Sequence, residues 1–152
     1  MITLLPATST DIPALWNLRT RALRGQCAGH YEPATLHAWA EAAVPATYPA
    51  LLAQGGGIKA TIDGVLAGYA ILDLDRNEID AVFVDPQCAG KGVGKVLLRA
   101  LEQMVKQPMA LHLYAALNAV PFYEAAGYRA MESTQYQHPS GILLDCVFMT
   151  RG

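Results

Sequence analysis

The stretch Gln87-Cys88-Ala89-Gly90-Lys91-Gly92-Val93-Gly94 concentrates residues able to hold an anion. An apolar run, Ile79 to Val84, leads into it through Asp85-Pro86, and an amphipathic pattern follows with apolar residues at Val93, Leu97, Leu101, Met104 and Val105. Strand, glycine-rich turn and helix start would aim several backbone N–H groups at one spot, where the helix dipole adds positive charge. Glycine lets a phosphate approach the backbone closely. Two familiar phosphate loops do not fit. A Walker loop needs glycine at Ala89 and Ser or Thr at Val96, while a Rossmann fingerprint needs glycine at Lys95 and an acidic residue near His112. Lys91, Lys95, Arg99 and Lys106 gather at this end, opposed there by Glu102 alone.

A second pattern lies downstream, Asn118-Ala119-Val120-Pro121-Phe122-Tyr123-Glu124-Ala125-Ala126-Gly127-Tyr128. The first run reads Q-x-x-G-x-G and the second N-x-x-x-x-F/Y-Y-x-x-x-G-F/Y, in that order. Together they resemble the two signature elements of the GNAT superfamily of N-acetyltransferases, and the resemblance covers nearly the whole chain. Ala89 departs from the basic or glycyl residue often found before the first motif glycine, and Lys91 stands ready to compensate.

The resemblance implies acetyl-CoA as cosubstrate. Backbone groups of Val82, Phe83 and Val84 would pair with the pantetheine arm as an added strand. The N–H groups of Gln87, Ala89, Gly90, Lys91, Gly92, Val93 and Gly94 would hold the pyrophosphate, with Lys95 adding attraction. Asn118 would bond to the pantetheine or phosphate region, and Tyr123 would turn its hydroxyl toward the thioester sulfur. A lysine-like amine with a pKa of ~10.4 is neutral in only about one molecule in two or three thousand at pH 7, so a base must take its proton. The departing thiolate needs a proton in return, and Tyr123 is the expected acid. Glu78 and Asp80 begin the strand before the loop, and Glu78 is taken as the base. Period-two alternation would set both on one face with Val82 and Val84, unless a bulge intervenes.

Cys88 sits where a helix start lowers a thiol pKa, yet direct transfer needs no acyl-cysteine. His37, His112 and His138 show no metal-ligand spacing, so no metal is assigned. His30-Tyr31 falls in the loop where the family shapes its acceptor pocket, and Trp16, Leu36 and Trp39 read as core or pocket wall.

These residues must be positioned by a 152-residue chain, 53% apolar and 16% charged, which is enough to fold a single domain over 1–152. A net charge of −2 argues against a general nucleic-acid or membrane surface. Three cysteines without a C-x-x-C pair suit a reducing compartment, and neither a leader nor a membrane span is legible, so a cytoplasmic protein is expected. The pattern predicts a strand over 2–6 and a helix with apolar stripe Ile12, Leu15, Trp16, Leu18, Arg19, Ala22, Leu23, ended by Gly25. A second helix is expected from Pro33 to about Ala43, and a short one over 46–54. Strands over 58–62 and 65–72 flank the Asp63-Gly64 turn, and a third covers 78–84. After the long helix come a strand over 109–114, a helix over 118–126 closed by Gly127, and strands over 128–137 and 142–149. Setting the short third helix aside, the order is β-α-α-β-β-β-α-β-α-β-β. That order implies an α/β (α+β) GNAT fold, a mostly antiparallel mixed sheet with a central parallel pair and flanking helices. The acceptor, a small-molecule or protein amine, has no readable code, and family habit leaves a homodimer open. A catalytically inactive CoA-binding sensor or interaction module is the alternative function.

Overall fold

The computed structural model describes residues 1–105 and 110–151. Lys106 and the start of the strand expected from Met109 lie outside the described residues. Among the described residues apolar alternation and turn chemistry produce seven strands: β1 (Ile2–Pro6), β2 (Gly57–Ile62), β3 (Val65–Asp73), β4 (Glu78–Val84), β5 (Leu111–Ala116), β6 (Arg129–Gln137) and β7 (Leu143–Arg151). They form one sheet in the order β1-β2-β3-β4-β5-β7-β6. Every neighbouring pair is antiparallel except β4 and β5. The β2–β3 hairpin turns on Asp63 and Gly64, at φ 52° and 80°, the paired left-handed conformation that matches strand twist.

Among the described residues five α-helices cover the two faces: α1 (Ile12–Gln26), α2 (Pro33–Ala40), α3 (Thr47–Ala53), α4 (Val93–Met104) and α5 (Val120–Ala125). On one face Leu97, Leu98 and Leu101 of α4 and Tyr123 of α5 meet Ala70, Leu72, Leu113 and Met149 of the sheet. On the other, Leu15 and Leu18 of α1 and Leu51 and Leu52 of α3 meet Tyr69, Ile71 and Ala81. Among the described residues, no helix is long and apolar enough to cross a membrane.

Three expectations change. Gly25 does not end α1; the helix runs on to Gln26, and the Cys27 N–H reaches Leu23 O at 3.0 Å. A Cβ on Gly25 would stand 3.1 Å from Pro86 Cγ, so this glycine serves close approach rather than termination. Helix α2 stops at Ala40, short of Ala43, and side chains of α1 bond the carbonyls at and just beyond its end. Arg19 donates to Trp39 O at 2.7 Å and Ala40 O at 3.1 Å, and Trp16 Nε1 donates to Ala42 O at 3.1 Å. Finally, β4 carries a bulge: Ile71 pairs with Ala81 and Leu72 with Ile79, leaving Asp80 without a partner across the ladder. Alternation breaks there. Val82 and Val84 pack toward α4, whereas Ala81 and Phe83 face α1. Asp80 and Glu78 do not share the face of Val82 and Val84.

Candidate active site

Beyond β4 the chain makes one tight turn, Pro86–Cys88, fixed by Asp85. One Asp85 carboxylate oxygen accepts the Gln87 N–H at 3.0 Å and the other binds Arg21 Nη2 of α1 at 2.8 Å. Burial alone would raise the Asp85 carboxyl; these two donors hold it below the usual range. The Ala89 N–H goes to Pro86 O at 3.3 Å. Gln87 and Ala89 were both expected to present N–H groups to phosphate, and both are already occupied.

The next residues are different. Gly90 and Gly92 adopt φ of 80° and 81°, a conformation that side chains disfavour, and Gly92 is the N-cap of α4. Its carbonyl accepts the Val96 N–H at 3.1 Å. The N–H groups of Gly90 through Lys95 donate to no described residue. They form the free donor cluster of a helix start, with exposed Lys91 and Lys95 beside it. Glu102 does not neutralise that end, since it accepts the Tyr128 hydroxyl at 2.8 Å and pairs with Arg151 at 3.2 Å.

Strands β4 and β5 begin together and then part. Their ladder has the single register pair Glu78 and His112, with the His112 N–H on Asn77 O at 3.1 Å. Past that point a cleft of about 210 Å³ opens between residues 79–83 and 113–116, walled by α1 and the β6–β7 turn. Gln26 Nε2 reaches Val84 O at 3.4 Å over its edge. Asn118, just beyond β5, lines the cleft and accepts from Cys27 Sγ at 3.2 Å. Burial pushes the Cys27 thiol up to about 11, which leaves it protonated and inert. Tyr123 also lines the cleft, held edge-on by Phe122 and Tyr128 with ring centroids 5.0 and 5.7 Å away. Its hydroxyl has no hydrogen-bond partner among the described residues, and burial raises its pKa.

Glu78 and Asp80 sit on the cleft floor. Glu78 Oε1 lies 3.2 Å from His112 Nε2. Asp80 has no such partner among the described residues; burial, then the neighbouring charges of Glu78 and Asp73, raise its carboxyl to about 6. The Asp80 side chain is solvent-exposed at the cleft, so crowding by the cleft lining rather than full burial bears on its carboxyl. Sequence reasoning did not assign Arg19, His138 or Tyr48 to this cleft; behind its wall the Tyr48 hydroxyl bonds that of buried Tyr69 at 2.9 Å. The available signal was Arg19 itself, the one charged residue in an otherwise apolar helical stripe.

Residues 27–143 match the family model described as an acetyltransferase (GNAT) domain. The chain belongs to the GNAT acetyltransferase family, whose members transfer acetyl groups from acetyl-CoA, and it is an acyl-CoA-dependent N-acyltransferase. It is 27% identical over 127 residues to the uncharacterized N-acetyltransferase YafP of Escherichia coli (strain K12), covering 84% of this chain and 81% of that one. The solved GCN5-related N-acetyltransferase "Aminotransferase, Class-II" of Rhodopseudomonas palustris superposes with a TM-score of 0.85 at 27% identity, covering 99% and 94% of the two chains. The PaiA N-acetyltransferase of Thermoplasma acidophilum, solved in complex with coenzyme A, shares the fold with a TM-score of 0.75 at 20% identity, covering 99% and 98%.

Proposed function

We propose that residues 1–152 act as one domain that moves acetyl from acetyl-CoA directly to a primary amine in a ternary complex. The observation that carries this reading is the parted β4–β5 pair, whose first strand runs from the cleft into the free N–H cluster of the glycine turn. The chain's residues fit the cosubstrate. Six unpaired N–H groups from Gly90 to Lys95 suit a pyrophosphate, and the edge at Val82–Val84, where Gln26 would release Val84 O, suits an amide-bearing arm. Acetyl-CoA supplies the activated thioester.

The residues then divide the proton work. Asp80, raised to about 6 and unpaired, takes the proton of the incoming amine; Glu78, tied to His112, holds the local negative charge. Asp80 therefore replaces Glu78 as the assigned base. Tyr123 gives its proton to the departing sulfur. Burial keeps that phenol protonated across the neutral range, and the same dry surroundings raise the basicity of the thiolate it serves.

Thermal unfolding with acetyl-CoA, free CoA and ATP tests the cosubstrate. At a hundred times its Kd a ligand adds about 2.7 kcal/mol, several degrees in a domain this size. A rise with both CoA species and none with ATP is expected, followed by acetyl transfer across an amine panel. No shift at millimolar acetyl-CoA overturns the reading.

A further inference from the structure

The cleft has a second charged end that acetyl transfer to a simple amine leaves unused. Arg19 projects from α1 into the cleft wall and is 2% exposed. Two of its N–H groups serve Trp39 O and Ala40 O, and its guanidinium stacks 4.0 Å above the Trp16 ring. A guanidinium has five donors, so three remain. No carboxylate of the described residues pairs with it. The carbonyl end of α2 offers only about half an elementary charge in return. A buried cation left so nearly uncompensated is costly.

Further donors gather around it. The Tyr48 and Tyr69 hydroxyls share one hydrogen bond at 2.9 Å; with buried Tyr69 donating it, the proton of cleft-lining Tyr48 is left for a ligand. Both hydroxyls feel the Arg19 charge. His138, from the β6–β7 turn, lines the same cleft and is 9% exposed. Its Nδ1 accepts the Ser140 N–H at 3.1 Å, which places the ring proton on Nε2. Burial, then Arg19, hold its pKa down, so it serves as a neutral donor. Arg19, His138 and a tyrosine hydroxyl thus form an anion-accepting end, while Glu78 and Asp80 form a cation-accepting floor. Arg19 and Asp80 do not pair with each other.

We propose that the acceptor is a small amine that also bears a carboxylate, in its simplest form a free amino acid, held by that carboxylate at Arg19 with its amine toward Asp80. This rests on the acetyl-transfer reading of the same cleft. A polyamine would set a like charge against Arg19, and a protein lysine brings no carboxylate to that place.

The test is calorimetric titration of the full chain, with and without saturating CoA, by matched ligands: the common amino acids, their primary amides and their decarboxylated amines. At least one free acid is expected to bind about tenfold or more tighter than its amide and its amine, the scale of a charge-assisted contact. Amides or amines binding as well as the acids, or no acid binding at millimolar concentration, overturn the proposal. Failure of CoA itself to bind overturns the acetyl-transfer reading instead, and acid-over-amide discrimination on the free protein still decides this one. Arg19→Gln should bring the acid-to-amide ratio to about one while acetyl-CoA affinity is kept. If that variant does not fold, the ligand series on the native chain decides alone.

Discussion

Two carboxylates on one strand, Glu78 and Asp80, differ because one has a partner and the other does not. Asp80 is raised to about 6 by burial and by the charges of Glu78 and Asp73, so it must lose its proton near that pH before it can act. We expect kcat/KM to fall as pH drops through about 6, and Asp80→Asn to lower it by ~10²-fold and abolish that limb. The stability effect has the opposite sign. A carboxyl whose folded pKa lies above its unfolded value favours folding only when protonated, so stability falls as pH rises from about 4 to 6. Asp80→Asn should therefore raise Tm at pH 7, by a small amount because solvent screens the exposed carboxylate, with the gain vanishing below pH ~4. Tyr123→Phe keeps the ring contacts with Phe122 and Tyr128 and removes only the hydroxyl. Its kcat should drop by ~10²-fold with acetyl-CoA affinity nearly unchanged; unchanged turnover would remove Tyr123 from the mechanism.

At the scale of elements, the glycine turn works through backbone conformation. Gly92 caps α4 at φ 81°, and Gly92→Ala would cost about 1–2 kcal/mol and weaken acetyl-CoA binding, readable by urea unfolding and calorimetry. This element, the Asp63-Gly64 hairpin and the Gly127 helix end were legible because each depends on local chemistry within a few residues. The bulge at Asp80 was not, because nothing in Glu78-Ile79-Asp80-Ala81 differs from a regular alternating strand; the slip shows only in its pairing with β3. The early end of α2 was hidden for a related reason. The carbonyls at and just past its end are bonded by Arg19 and Trp16, some twenty or more residues away in sequence. Gly25 reads as a stop signal alone and as a contact surface once Pro86 stands against it. The cleft therefore follows the same division: its phosphate end was written in motif spacing, and its acceptor end in long-range contacts.

For the molecule as a whole, the cleft walls come from distant parts of the chain and must be fastened together. Tyr31, in the loop between α1 and α2, donates to Asp145 O of β7 at 2.6 Å and accepts the Leu117 N–H beyond β5 at 3.1 Å. Burial raises its phenol to about 12, which keeps it a donor throughout the neutral range. Tyr31→Phe would remove both bonds and strand the Leu117 N–H, costing about 1–3 kcal/mol in urea unfolding. Asp85 makes a second fastening of another kind. One of its oxygens fixes the turn ahead of the N–H cluster, and the other grips Arg21 on the helix that carries Arg19. Two ligands that press on opposite ends of such a tether share a free energy. Whatever factor acetyl-CoA lends to acceptor affinity, the acceptor must lend back to acetyl-CoA, and Arg21→Ala should shrink both factors by the same amount.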